Sequence, residues 1–177
     1  PHLPRVLHWG GELGELTPED CALLPGARYR RFDSNAHDSD VPVTLAPSRA
    51  QGWQGWPGLT GHRSGIASQP LFTLADVTVS RTGVGDVATY QGEDLAAQLR
   101  LDGELRLTAD GVLMHRQKLG STAPGDAPAY VVDDFLTLLP VPQHAAEVFD
   151  YAGRWSNEAQ PQRQLLRQGS WLREQRR

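Results

Sequence analysis

Apolar and polar positions alternate along the middle of this chain. In "LAAQLRLDGELRL", residues 95–107, one phase holds Leu95, Ala97, Leu99, Leu101, Gly103, Leu105 and Leu107. Gln98, Arg100, Asp102, Glu104 and Arg106 fill the other. A period of two puts these sets on opposite faces of a strand, one dry and one wet. The phase survives Asp102-Gly103, which predicts one long strand with a kink or bulge there. A two-residue hairpin at the same Asp-Gly is the competing reading. Asp110-Gly111 in "TADGVL" predicts a hairpin returning into a strand from Val112 to Leu119. "PLFTLADVTVS" (70–80), "DVATYQ" (86–91) and "AYVVDDFLTLLPV" (129–141) predict further strands between Gly, Pro, Asp and Ser clusters. Short strands at such intervals predict an all-β sandwich of two packed, mainly antiparallel sheets.

One helix start is well signalled. Thr17 is placed as N-cap, Pro18 takes the first helical position, and Glu19 and Asp20 fill the first turn. Pro25-Gly26 is expected to end this helix after barely two turns. Trp9 falls in the expected first strand, where a core position is its simplest role. Residues 33–65 differ, being rich in Asp, Ser, Gly and Pro, with "VPVTL" as their one strand signal. So long an excursion is uncommon in a domain and is usually functional when ordered.

Composition narrows the classes. The 177 residues suit one domain with a real core. A net charge of −4 gives no general reason to expect nucleic acid or an acidic membrane as partner. No apolar run approaches the roughly 18 residues that span a bilayer. The N-terminus lacks the parts of a secretory signal, although a signal already removed would leave no trace. The single cysteine, Cys21, excludes an intrachain disulfide and a CxxC motif and is expected to pack as a small hydrophobe. A cytoplasmic setting is expected.

Catalytic constellations are missing from the sequence. The glycine-rich stretch 52–65 has no G-K-[ST] and no strand-turn-helix context, so phosphate cradling is not expected. The histidines show no HxxxH or HExxH spacing, and no metal site or cofactor is expected. There is no GxSxG elbow. Asp133 and Asp134 are neighbours on an expected strand and so face opposite ways. What remains is "GWQGWPGLTGHRSG", which puts two of the chain's five tryptophans in a stretch with little else to bury. A sugar ring has apolar C–H faces and a rim of hydroxyls, which suit an indole face and polar side chains respectively. Trp53, Trp56, His62 and Arg63 fit that task, with Asp38 as an addition. The alternative is that both tryptophans fold back onto the sandwich or into a domain interface.

"VLHWG" (6–10), "GWPGLTGHR" (55–63), "PLF" (70–72), "DYAGRWSNE" (150–158) and "GSWLREQRR" (169–177) occur in this order. Together they resemble the N-terminal domain of glycoside hydrolase family 36 α-galactosidases, the melibiases, and most of all their actinobacterial type. The resemblance implies that residues 1–177 form a β-supersandwich that precedes a (β/α)8 barrel and a small C-terminal β-domain. It implies retaining hydrolysis of terminal α-galactosides of the melibiose and raffinose type, by two aspartates on the barrel. No catalytic residue is then expected in these 177 residues, and the fragment alone is expected to be inactive. The family motif at "REQRR" would run on into the barrel, so the chain reads as part of a longer enzyme.

By the same resemblance, the loop matching 52–65 reaches the mouth of the barrel in its own or a neighbouring subunit. Arg63 and Trp56 lead the expected sugar contacts, followed by Trp53 and His62. Arg154, Trp155 and Trp171 are expected at the interface with the barrel, and a homo-oligomer is expected. The alternatives are a free-standing carbohydrate-binding module and an interaction domain that touches no sugar.

Overall fold

A computed structural model describes residues 2–28, 41, 43–142 and 144–167. The chain is all-β, with antiparallel sheets and one α-helix, the make-up of an all-β sandwich. It divides into two units, Pro1–His8 with Glu12–Leu139, and Trp9–Gly11 with Pro140–Arg177.

Four strands in chain order make the main sheet of the first unit: β2 (Thr73–Thr82), β3 (Gly85–Asp94), β4 (Leu99–Thr108) and β5 (Leu113–Ser121). β4 runs straight through Asp102-Gly103, and its pairing with both neighbours is continuous there, so the expected kink is absent. A bare glycine is needed at that point for packing. A Cβ on Gly103 would overlap the hydroxyl end of the ring of Tyr90, its partner on β3. Leu95 and Ala97 precede the strand. Asp94 accepts from the Ala97 amide at 2.9 Å and Gln98 takes φ 53°, which turns the chain before β4 begins.

The Asp110-Gly111 hairpin forms as expected, with Gly111 at φ 81° and the Thr108 amide donating to the Val112 carbonyl at 3.0 Å. A separate antiparallel pair joins β1 (Leu59–His62) to β6 (Val131–Phe135), with a register shift at Thr60/Gly61. Only five residues of the run 129–141 are strand.

The cross-strand rows Leu74–Gly92–Leu101–Leu119 and Val77–Tyr90–Gly103–Gln117 place one face of the main sheet. Leu99, Leu101 and Tyr90 of that face are buried with Leu3, Leu45, Leu59 and Phe72. Gly92 leaves room for Leu3, whose Cδ2 would lie only 2.5 Å from an added Cβ. The opposite face carries Asp76, Gln91, Asp102 and Lys118 in one row and Thr78, Thr89, Glu104 and Arg116 in the next. The wet and dry phases of β4 are therefore as its alternation implies.

Further sequence expectations change. The helix α1 spans Pro18–Arg28 and continues through Pro25 rather than stopping there. A proline inside a helix removes one hydrogen bond but need not end it. Its start is as expected: the Thr17 hydroxyl accepts from the Asp20 amide at 3.1 Å, and Asp20 reaches back to the Thr17 amide at 2.9 Å. Val43–Leu45 forms no ladder. Instead the Leu45 amide bonds to the Pro4 carbonyl, and Thr44–Ser48 is among the most deeply buried stretches of the chain. Cys21 is exposed on a helix with most of its surface in solvent.

The second unit contains the hairpin of β7 (Glu147–Arg154) and β8 (Asn157–Leu165). Trp9 belongs to this unit, lies in no strand and is exposed, so it is not a core residue. The two glycines that follow it lend no packing surface.

Candidate functional site

The Trp-bearing loop is fastened at both ends. Ser48 caps a 3₁₀ turn, Arg49–Gln51, by accepting from the Ala50 amide, and Gly52 at φ 87° closes it. Beyond the tryptophans, the Gly58 amide donates to the Pro47 carbonyl at 2.9 Å, and the Gly58 carbonyl accepts from the Leu136 amide at 2.8 Å. No side chain fits at Gly58, since a Cβ would lie 2.7 Å from the Ala46 Cα. β1 starts at the next residue. The second half of the stretch 52–65 is thus strand and turn rather than open loop.

Between these anchors the two tryptophans take different parts. The Trp53 indole N–H donates to the Trp56 carbonyl at 2.8 Å, and its ring lies against Gly55, where a Cβ would be 2.7 Å from Cε2. Trp53 is half-buried and shapes the loop. Trp56, held by that bond, leaves its side chain 45% exposed. A ring so placed is a flat apolar surface on a fixed backbone.

β1 carries the other pair. His62 is half-buried, and its Nδ1 accepts from the Gly65 amide at 3.2 Å. That bond makes Nδ1 the acceptor and puts the neutral ring's proton on Nε2. It closes a two-residue turn at Ser64 (φ 51°) and Gly65 (φ 83°), where Arg63 and Ile66 exchange both backbone bonds. Positive φ at both central residues marks a type I′ turn.

Arg63 points inward and is 8% exposed. Its Nη1 donates to the Pro128 carbonyl, and its Nη2 lies 3.1 Å from Ser121 Oγ, 3.4 Å from the Ala97 carbonyl and 3.5 Å from the Gln98 carbonyl. Its Nε is buried without a hydrogen-bond partner. The guanidinium carbon sits 5.8 Å from the centre of the Tyr130 ring. Tyr130 in turn donates to the Ala67 carbonyl at 3.0 Å and leans on Gly61, where a Cβ would lie 2.6 Å from its Cε1. Burial raises the Tyr130 pKa above its ordinary value, with Asp133 and Asp94 adding to the rise and Arg63 opposing it.

The structure therefore brings Trp53 to Trp56 and His62 to the Arg63 turn, and links the two pairs through β1. Asp38 and Trp171 lie outside the described residues. In the second unit, Arg154 ends β7 and Trp155 occupies the tip of the hairpin, 92% exposed. The Ser156 amide there donates to Glu158 at 3.0 Å. Sequence reasoning missed the polar cluster of Tyr90, His115 and Gln117 on the main sheet. It also missed Asp94, which is buried and accepts from the Leu71 amide at 2.7 Å. Asp94 stands before the glycine-free turn "LAAQ", a position where a carboxylate is needed to hold the amides. Among the described residues, no group of three or more His, Cys, Asp or Glu side chains is placed to hold a metal ion. No helix among them is long and apolar enough to cross a membrane.

The whole chain is 35% identical to an Escherichia coli protein, "Alpha-galactosidase", and spans 23% of that protein's length. No solved structure matches it. Residues 2–177 match the Glycosyl hydrolase family 36 N-terminal domain, and the chain belongs to that family.

Proposed function

We propose that this domain serves a retaining α-galactosidase that hydrolyses terminal α-galactosides of the melibiose and raffinose type. Its Trp-bearing segment, residues 52–65, then completes the rim of the sugar pocket. In this reading the two carboxyl groups that retention requires, about 5–5.5 Å apart on either side of the scissile bond, lie outside the 177 residues. The fragment alone is inactive in this reading.

One observation carries the proposal: Trp56 presents an exposed indole on a loop whose backbone is bonded at both ends. A pre-positioned aromatic face loses little entropy when a sugar ring stacks on it. Trp53 holds the Trp56 carbonyl through its indole N–H, and the Nε2–H of His62 is left as a donor for a hydroxyl. Arg154 and Trp155 at the hairpin tip, together with Trp171, dock against the catalytic barrel or a second subunit of a homo-oligomer.

Trp56→Ala in the intact enzyme tests this. The expected result is a loss of about tenfold in kcat/KM for galactosides, or ~1.4 kcal/mol of transition-state binding. The melting temperature should barely change, since an exposed ring is being removed. Unchanged kinetics would sink the rim role. Millimolar galactoside binding by the isolated chain, lost in the same variant, would favour a free-standing carbohydrate-binding module.

A further inference from the structure

We propose that Arg63 is a positioning residue, which fixes the Trp56 loop from inside the domain and does not itself touch sugar. The inference rests on the pocket-rim reading above for its kinetic consequence and on packing alone for the anchor.

An arginine that clamps a sugar must present its fork to the pocket. This one is buried, and both of its terminal nitrogens are spent on protein. Nη1 goes to the Pro128 carbonyl, and Nη2 goes to the Ala97 and Gln98 carbonyls and to Ser121 Oγ. These acceptors come from the approach to β6, the β3–β4 turn and the end of β5. One side chain at the end of β1 thus ties together three segments that are distant in sequence. Asp94 completes the cluster from the opposite direction, binding the Ala97 amide at 2.9 Å and the Leu71 amide at 2.7 Å. The same turn residue, Ala97, is held through its amide by Asp94 and through its carbonyl by Arg63.

The choice of residue follows from this geometry. A guanidinium offers several donors in a rigid plane and keeps its charge when buried, whereas an ammonium is a compact point charge that loses its proton more readily. The carbonyls round Arg63 are all neutral, and the Tyr130 ring takes its face at 5.8 Å. The anchor acts on the loop through backbone. Arg63 directly follows β1, whose first residue follows the Gly58 that is bonded to Pro47 and Leu136. If the guanidinium releases its acceptors, the end of β1 is freed and the Trp56 segment with it.

The experiment uses the intact enzyme with Arg63→Lys, Ser121→Ala and the double variant. Two readouts are taken: amide hydrogen exchange over residues 53–66, and the separate values of kcat and KM. Arg63→Lys is expected to speed exchange at 53–66 about tenfold and to raise KM severalfold with kcat nearly constant. Ser121→Ala lies outside the loop and should raise both exchange and KM by about twofold. In the double variant its effect should vanish, because the acceptor no longer has its donor.

A direct sugar contact predicts otherwise: KM rises in Arg63→Lys with exchange unchanged, and Ser121→Ala is silent. Either result overturns the anchor. Should Arg63→Lys fail to fold, Ser121→Ala alone still decides. Trp56→Ala distinguishes the two proposals. If it leaves KM unchanged while Arg63→Lys still loosens 53–66, the anchor stands and the pocket-rim reading falls.

Discussion

Gly103 occupies the one position on β4 where a methyl group has no space. Its neighbour Tyr90 is 4% exposed and lies across it, so an added Cβ would overlap the ring. The ring cannot swing aside freely. Its hydroxyl is fixed by His115 Nε2 at 2.9 Å and by the Gln117 side-chain amide at 3.0 Å. Overpacking a well-filled site costs about 1–3 kcal/mol. Gly103→Ala is therefore expected to lower stability by about 2 kcal/mol in thermal or urea unfolding, although alanine is compatible with strand geometry. An unchanged midpoint would show that Tyr90 has somewhere else to go. Leu101, two residues earlier and wholly buried, marks the contrasting case. Truncating it to alanine would leave a cavity rather than a clash.

At the scale of elements, Tyr90 of β3 reaches across β4 to His115 and Gln117 of β5, which makes a polar tie through an apolar face. Burial lowers the His115 pKa below its ordinary value, and it raises that of Tyr90, with the Gln117 bond opposing the rise. The His115 Nδ1 is buried without a hydrogen-bond partner, so a second ring proton finds no acceptor. The sign follows from linkage. With the folded pKa depressed, the unfolded chain binds the extra proton first, and stability falls as pH drops below about 6.5. Melting temperature measured from pH 7.5 to pH 5 should decline in the wild type and decline less in His115→Gln; equal slopes would exclude the tie as the source.

None of this tie was visible in the sequence, although the strands that carry it were. Alternation is local, and it placed Leu99, Leu101 and Leu105 on the dry face of β4 without help. The partner of Gly103 depends on register between strands, which single residues do not announce. The same limit explains Arg63. Its residue type and its glycine-rich surroundings pointed to a ligand contact, but its acceptors at 97, 98, 121 and 128 are distant in sequence and lie mostly on backbone. Pro25 shows a local rule overruled: the helix keeps its remaining bonds and runs on to Arg28. The exposure of Trp56 was legible because its glycine and proline neighbours leave an indole little to pack against.

At the scale of the molecule, the dry face of the main sheet extends further than its cover. Beyond the buried rows come Val79–Ala88–Leu105–His115 and Arg81–Asp86–Leu107–Leu113. In these rows Val79 is 63% and Leu107 47% exposed, and Val77 in the row before is 49% exposed. The β7–β8 hairpin of the second unit has its own exposed aromatic pair. Phe149 and Tyr151 meet edge to face at 5.0 Å, and Arg163 stands 5.1 Å from the Phe149 ring centre. A two-stranded hairpin is marginal in water by itself, so such a face calls for cover. Exposed apolar patches above a few hundred Å² promote association. The 177-residue chain made alone is therefore expected to associate, with a sedimentation coefficient that rises with concentration. Val79→Glu with Leu107→Glu should shift it towards the monomer, since each charge would have to be buried at the contact. The same pair in the intact enzyme separates two ways of covering the sheet. If another domain of the same chain seals it, the variant melts earlier with its subunit number unchanged. If a second subunit seals it, the assembly dissociates first. A wild-type fragment that stays monomeric at high concentration would mean that the uncovered rows are too dispersed to act as one patch.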